Sequence, residues 1–172
     1  MTLKIQRAIA RAKKLAKKGK INEAQNLYKE TLKEHPQNEE VKKGLADLQN
    51  IKAHQEPPRE QVQLIINHFS NGELNEATIK INDLSKEFPF SALLYNIGGA
   101  IYKSSGQLNT AVKKFEQSLA LKPRYAEAHY NLGVTLNELG QIKAAIKSYK
   151  NAIEIKNEYP DAHNNLGNIY LD

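Results

Sequence analysis

Gly72, Gly106 and Gly140 stand 34 residues apart, and so do Gly99, Gly133 and Gly167. Pro89 and Pro123 keep the same step, which next lands on Asn157. Each glycine of the first ladder opens a similar string: Gly72-Glu-Leu-Asn-Glu-Ala77, Gly106-Gln-Leu-Asn-Thr-Ala111 and Gly140-Gln-Ile-Lys-Ala-Ala145. A fixed period of this length means stacked supersecondary units, each too small to bury its apolar face alone.

The ladders predict antiparallel helix pairs. Gly72, Gly106 and Gly140 fall just past a helix end, where a left-handed residue satisfies the last carbonyls. Gly99, Gly133 and Gly167 let two helix backbones approach, with Ala77, Ala111 and Ala145 doing the same from the facing helix. Pro89 and Pro123 end the second helix. Ile101, Leu108, Phe115 and Leu119 fill one unit, and Leu136, Ile142, Tyr149 and Ile153 the next. Pairs of this kind bury their faces against neighbouring pairs.

These residues resemble the tetratricopeptide repeat family, most closely from Ala126-Glu-Ala-His-Tyr-Asn-Leu-Gly133 through Ala145 to Ala152. The resemblance covers residues 58–172 and implies an all-α, right-handed superhelical solenoid of antiparallel helix pairs. The repeats run over about 58–91, 92–125 and 126–159, with a partial repeat at 160–172. Three positions depart from the family pattern. Gly98 stands where a Leu is usual, Ile65 where a Gly is usual, and Asn157 replaces the closing Pro; weaker local packing is the expectation there.

Residues 5–38 fit the template loosely, with Ala12, Gly19, Ala24, Tyr28, Leu32 and Pro36 in register. Helices are expected over about 2–18 and 21–34. Gly19 to Gly72 is 53 residues, one repeat plus one further helix, which 39–54 supplies with Val41, Leu45 and Leu48 on one face. Gln55-Glu-Pro-Pro58 then breaks any helix. An odd helix disrupts the alternation, so two units are expected, 1–54 and 58–172, joined by a hinge at 55–58. The last repeat stops after its first helix, at Asp172, with Ile169, Tyr170 and Leu171 on its apolar side. The expectation drawn from this is a piece of a longer protein, or a helix that caps the stack by itself, with self-association through an open end.

The family is similar in using the face lined by first helices to bind peptides. The resemblance carries that face onto Arg59, Val62, Ile66 and Phe69; Leu93, Asn96, Ala100 and Lys103; Glu127, Tyr130, Val134 and Asn137; and Asp161, Asn164 and Asn168. Asn131 and Asn165, one repeat apart, lie close to it. Amides that donate and accept, mixed with apolar side chains, suit an extended peptide. Some family members clamp a partner's terminal carboxylate with Lys, where this chain has Val62, Asn96 and Tyr130; that partner class is disfavoured.

Charge is unevenly spread. Residues 1–60 hold 14 Lys+Arg and 8 Asp+Glu, while 61–172 hold 11 of each. A basic patch of Lys4, Arg7, Arg11, Lys14 and Lys18 lies on the first helix, beside an apolar stripe of Ile5, Ile9, Ala12 and Ala16. Attraction to nucleic acid, an anionic membrane or an acidic protein stands against an ordinary solvated face. The scarcity of Arg and the lack of interleaved aromatics disfavour nucleic acid.

No Cys is present, which removes disulfides and thiolate chemistry and suits a reducing, cytoplasmic setting. His35, His54, His68, His129 and His163 form no metal-ligand spacing. No phosphate-cradling loop is found, no cofactor is implied, and no catalytic residue is assigned. The expected function is a non-catalytic scaffold for a protein or peptide. The arrangement of a basic hairpin, a Pro-containing break and a regular array also resembles the N-terminal part of bacterial tetratricopeptide proteins that carry sulfotransferase or glycosyltransferase domains. That implies an alternative, the substrate-presenting arm of a larger enzyme.

Overall fold

The computed structural model describes residues 3–53 and 55–171. His54 lies outside the described residues, as do Met1, Thr2 and Asp172. Among the described residues are ten α-helices and no strand: α1 (Leu3–Lys17), α2 (Ile21–Glu34), α3 (Glu39–Ala53), α4 (Arg59–Ser70), α5 (Leu74–Glu87), α6 (Ala92–Ser104), α7 (Leu108–Leu121), α8 (Ala126–Glu138), α9 (Ile142–Ile155) and α10 (Pro160–Leu171). They fall into two compact units, residues 1–55 and 56–172.

The glycine ladder ends helices as its spacing requires. Gly19, Gly72, Gly106 and Gly140 have φ of 76°, 78°, 75° and 72°, a region that only Gly enters cheaply. Around Gly106, its own N–H bonds the Lys103 carbonyl and the Gln107 N–H bonds that of Tyr102, a paired closure repeated at the other three. The second helices stop at Glu87, Leu121 and Ile155, one repeat apart. The last stops in register although Asn157, not Pro, follows it.

In the first unit, α2 packs between α1 and α3. Ile5, Ile9 and Ala12 from α1 meet Ile21, Ala24 and Tyr28 from α2, and Val41 and Leu48 from α3. A Cβ on Gly44 would lie 2.6 Å from the Tyr28 ring, so α3 approaches as a first helix does. The Asn38 side chain caps it by accepting the Val41 N–H at 3.0 Å. The register fixed by Pro36 and Pro123 matches Ala46 and Gln49 of α3 to Gly133 and Leu136 of α8. The latter two are buried beneath α9, whereas Ala46 and Gln49 are exposed. The side of α3 that would receive a second helix is therefore solvated.

In the second unit α4/α5, α6/α7 and α8/α9 are antiparallel pairs, α10 packs on α9, and α4, α6 and α8 are successive neighbours. The close approach rests on rings over bare α-carbons. A Cβ at Gly99 would lie 2.5 Å from the Phe115 ring, and one at Gly133 2.8 Å from the Tyr149 ring. Ala77, Ala111 and Ala145 are fully buried from the facing side. The Ser118 hydroxyl, also fully buried, donates to the Ala92 carbonyl of α6 at 2.7 Å.

The departure at Ile65 does not loosen the packing. Where later repeats set an aromatic ring on glycine, this one sets Ile81 on Ile65, and both are almost fully buried. Volume removed from one helix is returned by the other, the kind of exchange a core tolerates. Gly98 fits the same region, since a Cβ there would stand 3.5 Å from Ile81 Cγ1, an ordinary contact. Ile142 differs from expectation in the other direction: it is 42% exposed rather than part of the core.

Adjacent glycines on α6 should therefore respond oppositely to alanine. Gly99→Ala forces Cβ into the Phe115 ring and should lower stability, with overpacking costing about 1–3 kcal/mol. Gly98→Ala adds a methyl at contact distance and improves helix propensity by about 0.8–1 kcal/mol, so its melting temperature should rise. Thermal melts of the two variants check this; equal shifts would contradict the assigned contacts.

Candidate functional site

The first helices of the second unit carry the residues assigned to the binding face, and the structure separates them into three groups. One group is inward. Val62 is buried in the core between α4 and α5, with Ile66 and Phe69 half-buried against the same cluster. Asn96 was expected as a surface amide and is instead 9% exposed. Its Oδ1 accepts the Asn131 Nδ2–H at 3.1 Å, and its Nδ2 lies 3.5 Å from the Tyr125 hydroxyl. Ala100 is half-buried.

A second group is tied between neighbouring helices. Lys103 forms an ion pair with Glu138 at 2.8 Å, which consumes the cation on α6. Tyr130 lies 5.0 Å from Tyr159 and 6.0 Å from Tyr149, centroid to centroid, and its hydroxyl accepts from Asn165 Nδ2 at 3.4 Å. Asn96–Asn131, Lys103–Glu138 and Tyr130–Asn165 each join residues 35 apart, as does the Ser91 hydroxyl donating to Glu56. The step is one repeat plus one residue. Helical side chains lean toward the helix N-terminus, so a residue on one first helix meets the next position along on its neighbour.

The third group is available. Val134, Asn137, Asn165 and Asn168 come together with Glu138, Ile142, Tyr149 and Ile169 around a cleft of about 390 Å³ between α8 and α10. Asn137, Asn164 and Asn168 are exposed, and no side-chain hydrogen bond engages them among the described residues. Tyr149 forms the cleft's floor. Ile142 and Tyr149 were read as packing residues and Ile169 as part of the apolar end; their part in the cleft depends on how α9 sits under α8 and α10, which spacing does not encode. Glu138 was legible in principle, as an opposite charge one repeat and one residue beyond Lys103.

Burial raises the Tyr149 phenol to about 12, against a weaker opposing hydrogen bond from Asn165. Burial likewise raises Tyr159 to about 12, followed by the negative charge of Glu127, the neighbouring Tyr130 and the charge of Asp161. His129 Nε2 bonds the Pro123 carbonyl at 2.9 Å and His163 Nε2 that of Asn157 at 3.1 Å. Since a carbonyl only accepts, each ring donates and pins the loop before its helix. Among the described residues no group of His, Asp and Glu is arranged to hold a metal.

On the first unit, Lys4 pairs with Glu34 at 2.8 Å and Lys13 with Glu40 at 3.2 Å. Arg7, Arg11, Lys14 and Lys18 are exposed. Ile5, Ile9 and Ala12 are spent in the core, so the basic side of α1 has no free apolar stripe beside it. Among the described residues no helix is long and apolar enough to cross a membrane.

Paired helices stacked in register, with a cleft of amides and apolar side chains on the first helices, define an α-helical repeat scaffold. The TPR repeat family model matches residues 99–140 and 135–172, so this part of the chain carries tetratricopeptide repeats. The human aspartyl/asparaginyl beta-hydroxylase is 26% identical over 147 residues, covering 69% of this chain and 19% of that protein. The mouse hydroxylase matches to the same degree, with 20% of its length covered. The chain thus spans about a fifth of the length of these curated relatives. Among solved structures, the first TPR of Spaghetti (RPAP3) bound to the HSP90 peptide SRMEEVD is similar at TM-score 0.64 and 20% identity, covering 70% of this chain and 91% of that one. MamA is similar at TM-score 0.61 and 24% identity, covering 92% of this chain and 82% of that one.

The raised phenols give a pH dependence. A tyrosine that ionises at about 12 when folded and near 10 when unfolded holds its proton more tightly in the folded state. Its stabilising contribution is complete below pH 10 and lost as pH rises through 12. Tyr149→Phe should therefore flatten the loss of stability over that window, measured by urea unfolding at each pH. An unchanged slope would place the ionising groups elsewhere.

Proposed function

We propose that this protein is a non-catalytic interaction scaffold that holds an extended peptide segment of a partner protein on the first-helix face over α8 and α10. The observation that carries the reading is the cleft lined by Val134, Tyr149 and Ile169 together with the exposed amides of Asn137 and Asn168. A carboxamide offers both donors and an acceptor, which matches a peptide backbone in either direction. The apolar floor receives alternate side chains of an extended ligand. Tetratricopeptide domains solved with bound peptides have the same fold, which supports the reading.

A second reading follows from the hydroxylases. The matched region is about a fifth of each, and on this reading the chain corresponds to one arm of a larger enzyme. On that reading the same cleft presents a substrate segment to a catalytic domain. The recognition chemistry is unchanged; only the fate of the bound segment differs.

The double substitution Asn137→Ala and Asn168→Ala should weaken peptide binding about tenfold, as expected for two lost hydrogen bonds of about 0.5–1.5 kcal/mol each. Both side chains are exposed, so the melting temperature should hold within the small range of surface changes. Fluorescence anisotropy on a peptide selected from an immobilised random library gives the affinity. Undiminished binding by the double variant would count against this face.

A further inference from the structure

The face over α6, α8 and α10 has a definite charge once its internal pairs are removed. Lys103 and Glu138 neutralise one another at 2.8 Å. The remaining formal charges on these three helices are Glu127 and Asp161, one repeat apart in the first turns of α8 and α10. Both are exposed, and neither forms an ion pair among the described residues. They share one locality, since both act on the Tyr159 phenol, whose ring lies 5.0 Å from Tyr130. The facing second helices differ: α7 and α9 carry Lys113, Lys114, Lys143, Lys147 and Lys150 against Glu116 and Glu154. The acidic character therefore belongs to the first-helix side.

Three cations stand nearby; Arg124 lines a hollow with Glu154 of α9, and the other two sit over rings. Lys122 lies 4.4 Å over the Tyr125 ring and Lys156 4.7 Å over the Tyr159 ring. Each belongs to the cap of a second helix and is engaged with an aromatic face, which leaves the two carboxylates without a partner. A ligand segment with an acidic side chain or a free terminal carboxylate would meet Glu127 and Asp161 with no free cation on α6, α8 or α10 to offset them among the described residues. A basic side chain would be drawn there and could lie against the exposed side of the tyrosine pair.

We infer that the segment held on this face carries a basic residue, Lys or Arg, where it meets Glu127 and Asp161. The inference rests on the peptide-scaffold reading above and narrows its partner to a basic extended segment. Orientation follows from it. The basic residue sits at the N-terminal ends of α8 and α10, and the adjoining residues run toward Asn137 and Asn168 at the opposite ends.

The test uses the whole chain and two capped synthetic peptides with the same Ser/Leu framework, one bearing Lys and the other Glu at matched positions. The measured quantity is the affinity abolished by Asn137→Trp, a bulky neutral obstruction at an exposed position, which separates this face from the basic side of α1. The Lys peptide should bind this face more tightly than the Glu peptide. Glu127→Gln with Asp161→Asn should reduce Lys-peptide affinity about fivefold, within the range of two exposed charge pairs, and narrow the gap between the peptides. A Glu peptide bound equally or better, or a Lys peptide indifferent to the double substitution, overturns the inference while leaving the scaffold reading intact. Absence of any Asn137→Trp-sensitive binding by either peptide overturns both.

Discussion

A flat aromatic ring resting on a bare α-carbon holds the repeats of this protein at their spacing. Phe115 on Gly99 and Tyr149 on Gly133 bring paired backbones closer than any side chain at the glycine would allow. Large buried rings then fill the volume that the glycines vacate, so close approach is achieved without a cavity. Stacking follows, because each second helix presents its opposite side to the next first helix. In the first unit Tyr28 meets fully buried Ala12 of α1 in its core and also lies over Gly44 of α3. One ring there helps to seat two helices.

The constraint is on summed volume across a pair of positions rather than on either residue. Ile65 and Ile81 illustrate this. Read singly, Ile65 breaks the glycine ladder and suggests a weak point. Read with its partner, it restores what Ile81 lacks relative to Phe115 or Tyr149. The repeat period and the left-handed caps were legible in the sequence because they depend on one residue at a time. The compensation was not, because it lies in pairs 16 residues apart whose contact only the helix packing reveals.

The proposed binding face was legible to a similar depth. Its helices and columns follow from the period, but members of one column meet different surroundings. Val62, Asn96 and Asn164 share a column, yet Val62 and Asn96 are buried while Asn164 is exposed. Periodicity alone assigns all three to the same side. The 35-residue links sharpen the distinction: a polar residue with a complementary partner one repeat and one position away is internal wiring. Asn96 and Asn131, Lys103 and Glu138, and Tyr130 and Asn165 all satisfy this rule. The counterpart of Asn137 by this rule, Asp172, lies outside the described residues.

That division bears on binding energetics. Holding flexible side chains in place costs entropy at the moment of association, and a surface whose side chains are already fixed avoids part of that cost. The links between α6, α8 and α10 fix the amides and rings beneath the cleft before any ligand arrives. Tyr149 rests on Gly133 and also lines the cleft beside Asn137, so the packing that spaces the repeats shapes the cleft as well. On the proposed reading stability and recognition meet on α8, with Gly133 against the Tyr149 ring and Asn137 one turn further along, at the cleft that the same ring lines.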